Sequence, residues 1–121
     1  MGCLFCNNLR DVIYENTYIY AIYDKFPVSD GHVLLITKRH CVSYFDATPA
    51  EKLAIDEGIM VLKKRLDDRY HPNGYNVGIN NGEAAGQTIL HLHVHLIPRY
   101  NNDVLDPRGG VRGVIPSKQK Y

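Results

Sequence analysis

Three of the chain's six histidines fall within five residues: His91, His93 and His95. They alternate with Leu92, Val94 and Leu96 inside the stretch 87–99. A period of two is the mark of a β-strand with one buried face, because successive side chains on a strand point to opposite sides. The three imidazoles therefore share a face, with neighbours roughly 6–7 Å apart, and the apolar residues fill the core behind them. Three kinds of chemistry are open to such a row. It could be a solvated, histidine-rich strand face, a His-x-His zinc site, or a nucleophilic imidazole held between two others. Crowding three imidazoles disfavours charging them all, so at least one stays neutral near pH 7. A neutral imidazole nitrogen is a good nucleophile toward phosphorus.

The elements that must carry this row are legible around it. Residues 12–14 and 18–23 read as two strands joined by a turn at Asn16-Thr17. A loop marked by Asp24, Pro27, Asp30 and Gly31 follows. Residues 31–37, Gly-His-Val-Leu-Leu-Ile-Thr, are apolar almost throughout and predict a central strand. Thr48-Pro49-Ala50-Glu51 is a capping box with proline at the first helical position. It starts a helix expected to reach about residue 69, with Ile55, Ile59, Leu62 and Leu66 as its apolar stripe. Lys52, Asp56, Lys63, Lys64 and Asp67 form its wet side, and His71 falls in the turn that ends it. Residues 75–80 predict a further strand. The small residues of 81–86 then suit close approach of backbone N–H groups to a phosphate.

A chain of 121 residues with 45% hydrophobic composition fits one domain with its own core. The net charge of +1 gives no global drive toward nucleic acid. No apolar run approaches the ~20 residues that cross a bilayer. The first residues lack the basic region and apolar segment of a signal peptide, so a cytoplasmic protein is expected. Three cysteines do not make a disulfide framework. Cys3 and Cys6, as Cys-x-x-Cys, read as a redox pair or half of a zinc site. The absence of a preceding strand and the spare histidines favour zinc. Cys41 reads as a small buried residue. The tail, residues 101–121, is Pro/Gly-rich, basic and irregular in pattern; its Arg108 and Arg112 would suit bidentate contacts to polyphosphate.

His91-Leu-His93-Val-His95-Leu-Ile, with Gly86-Gln87-Thr88 before it, resembles the histidine-triad (HIT) family of nucleotide hydrolases and transferases. The resemblance runs from Cys3 to about Arg99. It implies an α+β fold, an antiparallel sheet of about five strands with one long helix, and a two-fold dimer. It implies attack by His93 on an α-phosphate, a nucleotidyl-histidine intermediate, and release of the nucleoside monophosphate by water. Further roles follow from the same resemblance. His95 would hydrogen-bond phosphate oxygen, Thr88 would lie near the leaving group, and His32 would stand behind the triad. Asp24 would hold the ribose hydroxyls, and Asn80, Gly86, Gln87 and Thr88 the phosphates. The resemblance also implies a structural zinc on Cys3, Cys6, His40 and His91.

The substrate expected is a purine nucleotide, a diadenosine polyphosphate with AMP as one product, since the Gly-Gln-Thr segment and the Ile97-Pro98-Arg99 ending are similar to the dinucleoside polyphosphate hydrolases, which brings Mg2+ with the polyphosphate. Asn80 stands where the fragile histidine triad type carries Gln, and is similar instead to the Hint-type phosphoramidase branch. Two other readings are a nucleotide-binding sensor without turnover and a zinc hydrolase using all three histidines as ligands.

Overall fold

Alternation in the triad segment sorts the chain into two layers. The computed structural model describes residues 2–121, which form a five-stranded antiparallel sheet with one long helix packed on it. In chain order these are β1 (Tyr14–Glu15), β2 (Ile19–Tyr23), β3 (Val33–Thr37), α1 (Pro49–Tyr70), β4 (Gly74–Ile79) and β5 (His93–Arg99). Sheet order is β1-β2-β3-β5-β4. The triad strand thus lies between β3 and β4, with Leu34 opposite His95 and Ile36 opposite His93.

The helix begins as its sequence dictates. The Thr48 side chain accepts from the Glu51 N–H, the Glu51 carboxylate accepts from the Thr48 N–H, and Pro49 is the first helical residue. Glu51 is also gripped by Arg39, at 2.8 and 3.0 Å, which ties the turn after β3 to the start of α1. The helix ends at His71, a left-handed cap with φ 51°. Its buried face is Ala54, Ile55, Gly58, Leu62 and Leu66. At Gly58 the helix comes so close to the sheet that an added Cβ would lie 2.8 Å from Leu35 Cδ2.

Ile19, Ala21, Val33, Leu35, Leu92, Val94 and Leu96 meet this helix and make the main core. The opposite face carries the histidines and a smaller core of Phe5, Tyr20, Ile22, Leu34 and Ile36.

Two boundaries differ from the sequence reading for the same physical reason, a backbone donor taken elsewhere. The triad strand starts at His93 rather than earlier: the Leu92 N–H donates to the Cys41 carbonyl and the His91 N–H to that of Ile89, so His91 stands in the bend before the ladder. The first strand is only two residues long. The Asn16 side chain accepts from the N–H groups of Tyr18 and Ile19 and closes the turn at once. The tail is not patternless: residues Gly110–Val114 and Pro116–Lys118 form two 3-10 turns.

Candidate functional site

His91 and His93 are each oriented by a backbone carbonyl, and each has one nitrogen left over. His93 is 9% exposed, and its Nδ1–H donates to the His91 carbonyl at 2.7 Å, which leaves the Nε2 lone pair free. His91 is fully buried. Its Nε2–H donates to the Thr37 carbonyl at 2.6 Å, which leaves Nδ1 as the lone pair. Burial lowers the His91 pKa, aided by His40 and His93 nearby, and so keeps that lone pair available. This row is not a solvated strand face.

His91 Nδ1 lies 3.2 Å from Cys3 Sγ and 3.4 Å from Cys6 Sγ, and Cys6 Sγ lies 3.2 Å from His40 Nδ1. All four ligand atoms fall within 4.8 Å of one another. A tetrahedral zinc with ordinary Zn–S and Zn–N lengths holds its ligand atoms about 3.4–3.8 Å apart. The two thiols and two imidazole lone pairs therefore fit one such ion. Cys41, buried at 5% exposure, stays outside this group.

Asp24, His32 and His95 form a second cluster. The Val28 N–H donates to His32 Nδ1 at 3.1 Å, so in the neutral ring the proton sits on Nε2. That Nε2–H lies 2.9 Å from His95 Nδ1 and 3.4 Å from Asp24 Oδ2. A metal on His32 Nε2 would need the proton on Nδ1, where the Val28 donor already points. The cluster is thus a hydrogen-bond chain rather than a metal site. It leaves His95 accepting at Nδ1 and carrying its proton on Nε2. Burial, then His93 and His32, lower the His95 pKa to about 4, and burial lowers that of His32. The three triad imidazoles do not converge on one point, and no metal-ligating group among the described residues contains all of them.

A cavity of about 870 Å³ opens beside His95. His32, Asn80, Ile97 and Val28 line its inner wall, and the tail residues Val111, Val114 and Lys120 line the outer one. Its size suits a nucleotide. Asp24, like His93 and Thr88, is not among the residues that line it; one Asp24 carboxylate oxygen accepts from the Phe26 N–H.

Other sequence-derived candidates are placed differently. Gln87 is buried, and its amide is committed to the loop: its Oε1 accepts from the Gly82 N–H, and its Nε2 donates to the carbonyls of Val42 and Ile89. The Gly86 N–H donates to the Glu83 carbonyl, and the Gln87 N–H to that of Gly82. Neither residue offers those donors to a phosphate; both shape the loop, Gly86 through its φ of 94°. Thr88 is exposed. Arg112 does not reach the triad. It donates to the Lys118 and Gln119 carbonyls and stacks on Tyr121. Arg108 faces Asp106 at 3.8 Å. Residues that sequence reasoning did not single out are Val28, Thr37 and Phe5. The first two act through backbone atoms, which residue type does not reveal.

The HIT domain pattern matches residues 7–102. The chain belongs to the HIT family. A HIT family protein from Bacillus anthracis has the same fold, with a TM-score of 0.79 and 36% identity, covering 84% of this chain and 76% of that one. A Zn-bound histidine triad family protein from Mycobacterium smegmatis gives a TM-score of 0.78 at 32% identity, covering 87% and 80%. The adenylylsulfatase HINT3 of Arabidopsis thaliana is 32% identical over 108 residues; the match covers 85% of this HIT chain and 55% of the plant protein.

Proposed function

We propose that this HIT protein is a nucleotidyl hydrolase that cleaves at the α-phosphorus of an adenylyl substrate through a covalent intermediate on His93. One observation carries the reading: the His91 carbonyl holds the proton on His93 Nδ1 and leaves Nε2 as a fixed lone pair beside the cavity residue His95. In the first step His93 Nε2 forms a bond to the α-phosphorus, and the bond to the leaving group breaks. The leaving group keeps the electron pair and takes a proton from solvent. In the second step water attacks phosphorus, the N–P bond returns its pair to Nε2, and AMP leaves as the water proton passes to solvent. The His95 Nε2–H donates to a phosphoryl oxygen, where charge develops. Asn80 lines the cavity and binds the phosphate; Asp24 accepts from the ribose hydroxyls; Thr88 lies on the leaving-group side.

Cys3, Cys6, His40 and His91 would hold zinc, which supplies a structural crosslink between the N-terminus, the end of β3 and the triad. The Zn-bound relative supports this assignment. A dimer is part of the proposal: β4 is an edge strand with Val77 half-exposed, and Leu53 and Met60 of α1 face outward. Among the described residues no helix is long and apolar enough to cross a membrane, in keeping with the cytoplasmic placement proposed.

The leaving group proposed is short, such as an amine or sulfate. Asn80 and the name of the plant relative both point that way. The cations at the cavity wall are already matched: Arg99 by Asp103, and Lys120 by Asp106 at 3.6 Å. A diadenosine polyphosphate, with Mg2+, is the second reading, favoured by the cavity's volume. The test is turnover of adenosine phosphoramidate, adenylyl sulfate and diadenosine tetraphosphate, with products separated by chromatography and His93→Ala alongside. AMP formed only by the unmodified chain supports the reading, and the fastest substrate fixes the leaving group. Equal turnover by His93→Ala overturns it.

A further inference from the structure

We infer that Arg39 is a positioning residue for the metal site: its grip on the buried Glu51 fixes the bend of backbone that presents His40 to Cys6 and His91. The inference rests on the zinc reading of Cys3, Cys6, His40 and His91.

The two histidine ligands differ in how the fold holds them. His91 is fully buried, and its Nε2–H is taken by the Thr37 carbonyl. His40 is exposed and follows the bend that ends β3. Its ring nevertheless stands 4.9 Å from that of His91 at 85°, with Nδ1 3.2 Å from Cys6 Sγ. An exposed imidazole on irregular backbone has conformational freedom to lose when it takes a metal. The bonds that remove this freedom fall on its two neighbours. On one side, the Cys41 carbonyl accepts from the Leu92 N–H at 2.7 Å, which joins the residue after His40 to the residue after His91. On the other side is Arg39. Its Nε and Nη2 donate to the two Glu51 carboxylate oxygens at 3.0 and 2.8 Å, and Nη2 also donates to the Asp46 carbonyl at 3.0 Å. With only one neighbour pinned, His40 could swing about the other; with both pinned, it cannot.

Residue type matters at Arg39. A planar guanidinium meets a carboxylate through two parallel bonds and so fixes direction as well as distance, whereas lysine offers one rotatable point charge. The acceptor is held in turn. Glu51 is 2% exposed, and its Oε1 also accepts from the Thr48 N–H at the start of α1. A carboxylate buried with both oxygens bonded has a high cost for leaving its partners. The next residues of the helix, Ala54 and Ile55, lie in the main core. The packed start of α1 thereby sets where the bend before His40 lies.

The test uses the full reduced chain loaded with zinc. The zinc dissociation constant is measured at one fixed pH by competition with a chromogenic chelator, and the visible spectrum after exchange of zinc for Co2+ reads the ligand set. Arg39→Met is set beside Arg39→Lys, His40→Ala and the double variant Arg39→Met/His40→Ala. Groups that orient a metal ligand from outside typically contribute 10–100-fold in affinity, so Arg39→Met is expected to bind zinc on the order of tenfold more weakly. Lysine should recover only part of the loss. The Co2+ bands of Arg39→Met should move toward those of His40→Ala. With His40 already gone, Arg39→Met should cost no further affinity, because both act through one ligand. If Arg39→Met leaves Glu51 unpaired and fails to fold, Arg39→Met/Glu51→Gln takes its place in both backgrounds; it leaves no buried charge and keeps an acceptor for the Thr48 N–H. Unchanged affinity in Arg39→Met overturns the inference, and so does an equal loss with and without His40. An unmodified chain that takes up no zinc, or whose affinity does not fall in His40→Ala, would instead overturn the zinc reading on which it stands.

Discussion

Replacing His32 separates the hydrogen-bond chain from the nucleophile. His32→Phe keeps a planar ring in a position only 3% exposed, but removes the acceptor for the Val28 N–H and the donor to His95 Nδ1. Val28 is 71% exposed, so its N–H finds water at little cost. His95 Nδ1 loses its one hydrogen-bond donor, and an acceptor left unpaired away from water costs about 1–3 kcal/mol. The ring can then relieve that cost by moving its proton to Nδ1, which takes the donor away from the phosphoryl oxygen. A hydrogen bond to a charged group contributes about 1.5–3 kcal/mol, so kcat should fall roughly 10- to 150-fold. His32→Gln, which can still present an N–H to His95, should fall less. Steady-state kinetics of His32→Phe, His95→Ala and the double variant check this, since residues acting through one contact are non-additive. His32→Phe at wild-type kcat, or a double variant whose losses simply add, would refute the tautomer argument.

Three further outcomes follow from particular contacts. Gly58→Ala gains about 1 kcal/mol of helix propensity, but its Cβ would press on Leu35 and Ile19, both fully buried. Overpacking of about 1–3 kcal/mol should win, and Tm by calorimetry should fall by a few degrees; a rise would contradict the close helix–sheet packing. The buried imidazoles of His32, His91 and His95 have folded-state pKa values below their unfolded one, so the unfolded chain binds protons first. Stability should be full above about pH 6.5 and decline as pH falls toward 4, read as Tm against pH; a flat profile would mean that these rings are already solvated. Chelation of zinc should lower Tm by on the order of 10 °C, while turnover persists as long as the fold survives. Immediate and complete loss of turnover on chelation would favour metal catalysis instead.

Much of this architecture is written in residue type. Thr48, Pro49 and Glu51 mark the start of α1, because a capping box is local chemistry. The alternation of Leu92, Val94 and Leu96 fixes which face of β5 meets the helix, because a strand has no choice of period. The Cys3, Cys6, His40 and His91 set comes together as the family resemblance implied. What escaped the sequence depends on backbone atoms brought close by tertiary structure. The carbonyl of Cys41, fifty-one positions before Leu92, accepts the hydrogen bond that makes the triad strand start late. Thr37 and Val28 fix two tautomers through a carbonyl and an amide that every residue possesses. The family resemblance implied a phosphate-binding role for Gln87; its side chain is buried and bonded within the loop. Arg112 suited a bidentate phosphate contact by residue type, yet the returning tail supplies two carbonyls and an aromatic face.

The most direct measurement is rapid quenching of enzyme with a substrate labelled in the adenylyl group, followed by mapping of the labelled peptide. Label on His93 that forms and decays at rates consistent with turnover is the expected result, with none in His93→Ala. AMP release at the full rate with no labelled protein at any time would contradict a nucleophilic His93.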